Sequence, residues 1–214
     1  MVSYDIIATG SSGNAVIVGK SVLIDCGVAY KRIEPHKNEV KLVLLTHIHG
    51  DHLNPSTIGR LANEKPLIRF GACRWLVKPL VEAGVKPEKI DVFDIGNVYD
   101  YGICKVIPFS LLHDVPNCGY KVHFPGGKVI YATDTENLNG IEAKDYDLYL
   151  IEGNYDEEEI NERIKEKVLL GQYAYETRVK KTHLSHKQCD EFVARNIGAT
   201  GRYVYLHEHV GVQS

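Results

Sequence analysis

The chain has 214 residues, 44% hydrophobic and 25% charged, enough to bury a core without disulfides or a structural metal. One domain over residues 1–214 is the expectation, and any metal cluster in it is free to be catalytic. The formal net charge of -3 excludes a broad basic footprint for non-specific nucleic-acid binding and leaves room only for a local basic patch.

In chain order, residues 6–8 read as a first strand running into the turn-rich loop Gly10-Ser11-Ser12-Gly13-Asn14. Residues 15–18 and 22–24 read as a hairpin around Gly19-Lys20, closed by Asp25-Cys26-Gly27. Residues 41–45 form a short apolar run of buried-strand character, ending at Thr46. A short helix over 56–61, a strand over 67–70 and an amphipathic helix over 75–83, stopped by Gly84, follow. The second half has strands at 104–108, 119–124, 128–132 and 147–151. It continues with a charged helix over 157–170 that places Ile160, Ile164 and Val168 on one face, a helix over 187–197, and a last strand over 203–206. Clustered strands with a few helices between them predict a layered α/β architecture.

Five scattered cysteines without a C-x-x-C pair read as a reduced, cytoplasmic chain. Met1-Val2-Ser3-Tyr4-Asp5 has no basic n-region, so no signal peptide is expected. The longest apolar runs are strand-sized, so no membrane span is expected.

Chemistry concentrates at His47-Ile48-His49-Gly50-Asp51-His52. Imidazole and carboxylate are the ligands zinc prefers, and a loop behind a rigid strand lets all four side chains converge. Four ligands do not suffice for two metals. Three further candidates stand at strand ends: His113 after residues 108–112, Asp134 after 129–133, and His207 after 203–206. The chain reads Leu206-His207-Glu208-His209 at its last strand, so His209 competes with His207, which directly follows the strand.

The H-x-H-x-D-H motif followed by a lone His, an Asp and a late His resembles the metallo-β-lactamase superfamily. Gly10-Ser11-Ser12-Gly13-Asn14, Leu23-Ile24-Asp25-Cys26-Gly27, Thr46-His47, His113-Asp114, Thr133-Asp134-Thr135, Glu152-Gly153-Asn154 and His183-Leu184-Ser185 extend the likeness to the YycJ/WalJ-like branch, close to the RNase Z type, over residues 7–207. The resemblance implies a four-layer αββα sandwich with two divalent metal ions at one edge. By it, His47, His49 and His113 hold the first ion, Asp51, His52 and His207 the second, and Asp134 bridges them. Zinc is the default, with manganese or iron as alternatives for a mixed His/carboxylate site. Such ions sit roughly 3.5–4 Å apart and activate a water toward hydroxide.

Two divalent ions, less two carboxylates and one hydroxide, leave a positive centre suited to a phosphodiester transition state. The resemblance makes Asp51 and His183 catalytic, His183 as a phosphate contact and general acid, with His186 a nearby competitor. Glu152 is expected to brace the site, and relatives often carry His where this chain has Tyr155. The implied function is a phosphodiesterase or nuclease acting on DNA or RNA. The alternatives are hydrolysis of a cyclic nucleotide or other small phosphodiester signal, and thioester or lactam hydrolysis on the same fold. Such folds often pair into homodimers. Arg178, Lys180, Lys181 and Lys187 flank His183 as a phosphate track or a solvated face.

Overall fold

Alternation along short strands that are buried on both faces decides the layering. The computed structural model describes residues 2–208. Six strands, β1 (Tyr4–Ala8), β2 (Ala15–Val18), β3 (Val22–Ile24), β4 (Leu42–Leu45), β5 (Arg69–Cys73) and β6 (Ile90–Phe93), form one sheet in chain order. The other sheet holds β7 (Tyr99–Asp100), β8 (Lys105–Leu111), β9 (Asn117–Phe124), β10 (Gly127–Ala132), β11 (Leu148–Glu152) and β12 (Arg202–Leu206), again in chain order.

Because side chains alternate faces along a strand, Leu42 and Leu44 enter the apolar cluster between the sheets while Val43 and Leu45 point outward. In the second sheet Val129, Tyr131, Leu148 and Leu150 face inward, and Ile130, Ala132, Tyr149 and Ile151 face outward. The outer face of the first sheet is covered by α1 (Tyr30–Ile33), α2 (Pro55–Glu64) and α3 (Val77–Glu82), which contribute Tyr30, Ile33, Ile58, Leu61 and Leu80. The outer face of the second is covered by α6 (His186–Asn196) through Cys189, Phe192 and Val193. Helices α4 (Glu157–Leu169) and α5 (Glu176–Thr182) lie between β11 and α6 in the chain. The result is the expected αββα sandwich.

Helix starts follow local chemistry. Asn54 caps α2 by accepting from the Thr57 N–H, with Pro55 in the first turn. The helix expected over 75–83 is shorter. Arg74–Leu76 is a 3-10 turn and the α-helix begins at Val77, because Pro79 has no N–H to give the Trp75 carbonyl. All five cysteines are buried and free. Among the described residues no helix is long and apolar enough to cross a membrane.

Strand direction places the site. β3, β4, β5 and β6 run parallel. β8 and β10 are both antiparallel to β9, and β10, β11 and β12 are mutually parallel. The carboxyl ends of β8, β10, β11 and β12 therefore open at one edge of the second sheet.

Candidate metal centre

Three ring nitrogens form a tripod. His49 Nδ1 lies 3.2 Å from His47 Nε2 and 3.3 Å from His113 Nε2. Tautomers fixed by the surrounding hydrogen bonds leave the His47 and His113 nitrogens bare. The Thr46 hydroxyl donates to Asp25 Oδ1 (2.9 Å), so its oxygen is left to accept from His47 Nδ1–H (2.9 Å). His113 Nδ1–H donates to the Thr182 carbonyl (3.0 Å). Both Nε2 lone pairs thus face the tripod. A tetrahedral ion with Zn–N bonds of about 2.0–2.1 Å holds its nitrogens about 3.3 Å apart, so the donor set fits a metal ion. Burial, then the neighbouring His52, pushes His47 down to about 2, keeping it in the neutral form that binds metal.

A second group adjoins the first. Asp51 Oδ2 lies 3.5 Å from His52 Nε2 and 3.4 Å from His207 Nε2. Asp134 stands between the groups. Its Oδ2 is 2.8 Å from His52 Nε2, its Oδ1 is 3.5 Å from His207 Nε2, and it clusters with His47 and His52 as well. Asp134 Oδ2 is buried and accepts no well-formed hydrogen bond, the mark of an oxygen awaiting a cation. Burial alone would raise the Asp134 pKa, but His52 and His207 hold it well below the usual carboxylate range. Asp134 and Asp25 likewise raise the His52 pKa well above its ordinary value, against the opposing effect of full burial. A positive charge is thus favoured where an ion would sit.

The braces around these groups come from Asp25, Asn14, Asp114 and Asn154. Asp25, fully buried, accepts from the Thr46 N–H (3.0 Å), the Thr46 hydroxyl, His52 Nδ1 (2.7 Å) and the Tyr131 hydroxyl (3.0 Å). It orients His52 and, through Thr46, His47. Asn14, from the Gly10–Asn14 loop, ties itself to the Asp51 carbonyl through its backbone N–H (2.6 Å) and sets its side-chain amide 2.8 Å from His52 Nε2. Asp114 Oδ1 lies 3.4 Å from His49 Nε2, its other oxygen bonded by Arg178. Asn154 donates to the His207 carbonyl (2.8 Å).

Asp25, Asp134 and His207 all adopt left-handed φ, at 58°, 58° and 53°. A non-glycine residue holds that conformation only where its surroundings enforce it. Gly27 lets the segment after β3 pass against the histidine loop: a Cβ there would meet the Asp51 carbonyl oxygen at 1.8 Å. Every sequence-predicted ligand within the described residues is brought together; His209 lies outside them.

His183 and His186 separate. His183 lines the cleft over the metal-ligand groups, and its Nδ1 lies 2.5 Å from Glu152 Oε1. Burial would lower its pKa, but the bond and charge of Glu152 outweigh it, and the pKa lies above the ordinary value. Glu152 is fully buried, and its other oxygen accepts from the Thr135 (3.0 Å) and Leu184 (3.3 Å) N–H groups. It braces, as expected. The cap of α6 is Ser185 and not His183. His186 lines a neighbouring cleft, together with Tyr155.

The family model for the beta-lactamase superfamily domain matches residues 20–207. Exodeoxyribonuclease YycJ of Bacillus anthracis is 27% identical over 171 residues, covering 72% of this chain and 64% of that protein. The chain thus spans less than two thirds of that relative's length. The metallo-beta-lactamase fold protein YhfI from Bacillus subtilis superposes with a TM-score of 0.75 at 16% identity, covering 99% of this chain and 88% of the other. The short form of human tRNase Z gives 0.68 at 16% identity, covering 97% and 92%. With the αββα sandwich and the clustered histidines and aspartates already in place, the match across residues 20–207 means that the chain belongs to the beta-lactamase superfamily.

Proposed function

We propose that the chain is a two-metal phosphodiesterase acting on nucleic acid. The observation that carries this reading is the double cluster: three convergent ring nitrogens on one side, Asp51, His52 and His207 on the other, and Asp134 between them. His47, His49 and His113 would hold one divalent ion and Asp51, His52 and His207 the other, with Asp134 bridging; zinc is the first candidate. Such a pair supplies an activated water and polarises a phosphoryl oxygen. The similarity to an exodeoxyribonuclease supports a nucleic-acid phosphodiester over a thioester or lactam.

The chain's own residues complete the chemistry. Glu152 accepts the His183 Nδ1–H, which fixes the ring and leaves Nε2 as the nitrogen available to substrate. Protonated, His183 delivers its Nε2 proton to the leaving oxygen as general acid. Arg178 is the one Lys or Arg lining the cleft of about 280 Å³ among the described residues. Its guanidinium, anchored by Asp114 beside His49 and His113, holds a non-bridging phosphate oxygen.

The general-acid role has a leaving-group signature. His183→Ala lowers turnover of a dinucleotide, whose leaving group is a poor alkoxide, by roughly 10²–10⁴-fold. Turnover of bis-p-nitrophenyl phosphate, whose phenoxide leaves without help, falls far less. Equal losses on both substrates remove His183 from the proton transfer. If the wild type hydrolyses thioesters or lactams but no phosphodiester, the phosphodiesterase reading is wrong.

A further inference from the structure

Tyr175, in the wall between the metal-site cleft and its neighbour, is a residue the reaction alone does not use. The cleft of about 280 Å³ over the metal-ligand groups is lined on one side by Tyr175, Arg178 and Val179. A second cleft, of about 430 Å³, lies beyond the same wall and shares Tyr175 and Val179. Tyr175 therefore stands at the junction, 44% exposed. Its ring is nevertheless held in place. The ammonium of Lys167 sits 4.1 Å from the ring centroid and is pinned by a 2.5 Å bond to Glu176 Oε1, on a side chain that is itself buried. Holding a long lysine side chain in one geometry costs rotamer entropy. An exposed aromatic ring held in this way beside the metal-site cleft is built like a stacking platform. The second cleft is acidic, with Asp156, Glu159, Glu176 and Glu208 in its lining against Arg163, and so disfavours a polyanion.

We infer that Tyr175 is the base-stacking residue for a single-stranded polynucleotide end. In this arrangement the scissile phosphate lies over the metal-ligand groups beside Arg178, a base rests against the Tyr175 ring, and the strand leads away past Lys180 and Lys181, outside the acidic second cleft. The inference rests on the phosphodiesterase reading and names its substrate class. Two features favour a strand over a compact cyclic nucleotide. Tyr175 stays exposed where the metal-site cleft meets its neighbour, and Arg178, Lys180 and Lys181 follow it on the same short segment. Stacking on an aromatic side chain tolerates any base, because every base has a π-face. This platform would therefore read strandedness and not sequence.

The test measures binding and cleavage on the metal-loaded chain. Anisotropy of a fluorescein-labelled, phosphorothioate-linked pentathymidylate reports binding. The ratio of kcat/KM for an unmodified pentathymidylate to that for bis-p-nitrophenyl phosphate reports use of the wall. Tyr175→Ala weakens pentathymidylate binding roughly tenfold, the scale of one lost base stack, and lowers that ratio by a similar factor. Tyr175→Phe restores both, and Tyr203→Ala, at an exposed tyrosine lining neither cleft, changes neither. No pentathymidylate binding by the wild type, or equal binding by the wild type and Tyr175→Ala, overturns the stacking platform. Turnover of bis-p-nitrophenyl phosphate by the wild type separately decides the phosphodiesterase reading, so the two failures are distinguishable.

Discussion

Asp134→Asn lowers phosphodiester turnover on the order of 10³-fold and reduces the metal retained per chain, while the metal-free variant still folds. Asparagine is the informative replacement. Asp134 sits at φ 58°, a conformation asparagine tolerates and alanine resists, so the backbone cost drops out and the chemistry remains. The substitution leaves one acceptor where the wild type has two. It also removes the charge that faces His52 at 2.8 Å and His207 at 3.5 Å. Because Asp134 clusters with His47 from one group and with His52 and His207 from the other, one change is expected to weaken both. Turnover and metal content are measured together on one preparation. A variant with wild-type turnover contradicts a bridging role for Asp134.

Asp25→Asn acts differently, by releasing the ligands from behind. Asp25 gathers donors from Thr46, His52 and Tyr131 in a fully buried position. An amide accepts through one oxygen only and turns its own N–H groups toward donors. Destabilisation of about 3 kcal/mol follows from breaking such a buried charge network, and metal affinity falls roughly 10–100-fold as His47 and His52 lose their orientation. Denaturant unfolding of the metal-free chain reads the first effect, and metal titration against a chelating dye reads the second. Unchanged metal affinity with lowered stability would reduce Asp25 to a purely structural residue. Asp25 also has φ 58°, so asparagine again separates chemistry from backbone strain.

The sequence carried the ligand loop because four ligands stand within six residues behind an apolar strand. His113, Asp134 and His207 could be read from their places after strands, since strand ends are where a parallel arrangement delivers side chains to one edge. Asp25 carried no such signal. A single aspartate in Leu23-Ile24-Asp25-Cys26-Gly27 has no ligand spacing, and its four donors come from segments 21 to 106 residues away. Only its burial and left-handed backbone expose the role.

Two elements of the wall and sheet were equally silent. Glu176–Thr182 folds as a helix, but its mix of Thr, Arg, Val and Lys shows no apolar period, so the basic segment could not be placed on a cleft. Ile90–Phe93 joins the first sheet, yet four residues flanked by Pro87 and Lys89 give too little alternation to recognise. The layers were legible because strands such as Leu42–Leu45 and Leu148–Glu152 are buried along their whole length.

The central claim is a paired metal site, and metal content by mass spectrometry on protein purified without added metal tests it most directly. About two divalent ions per chain, falling to none after chelation and returning with zinc together with phosphodiester turnover, is the expected result. A chain that holds no metal even after zinc or manganese is supplied, or that is fully active with a single ion, contradicts it.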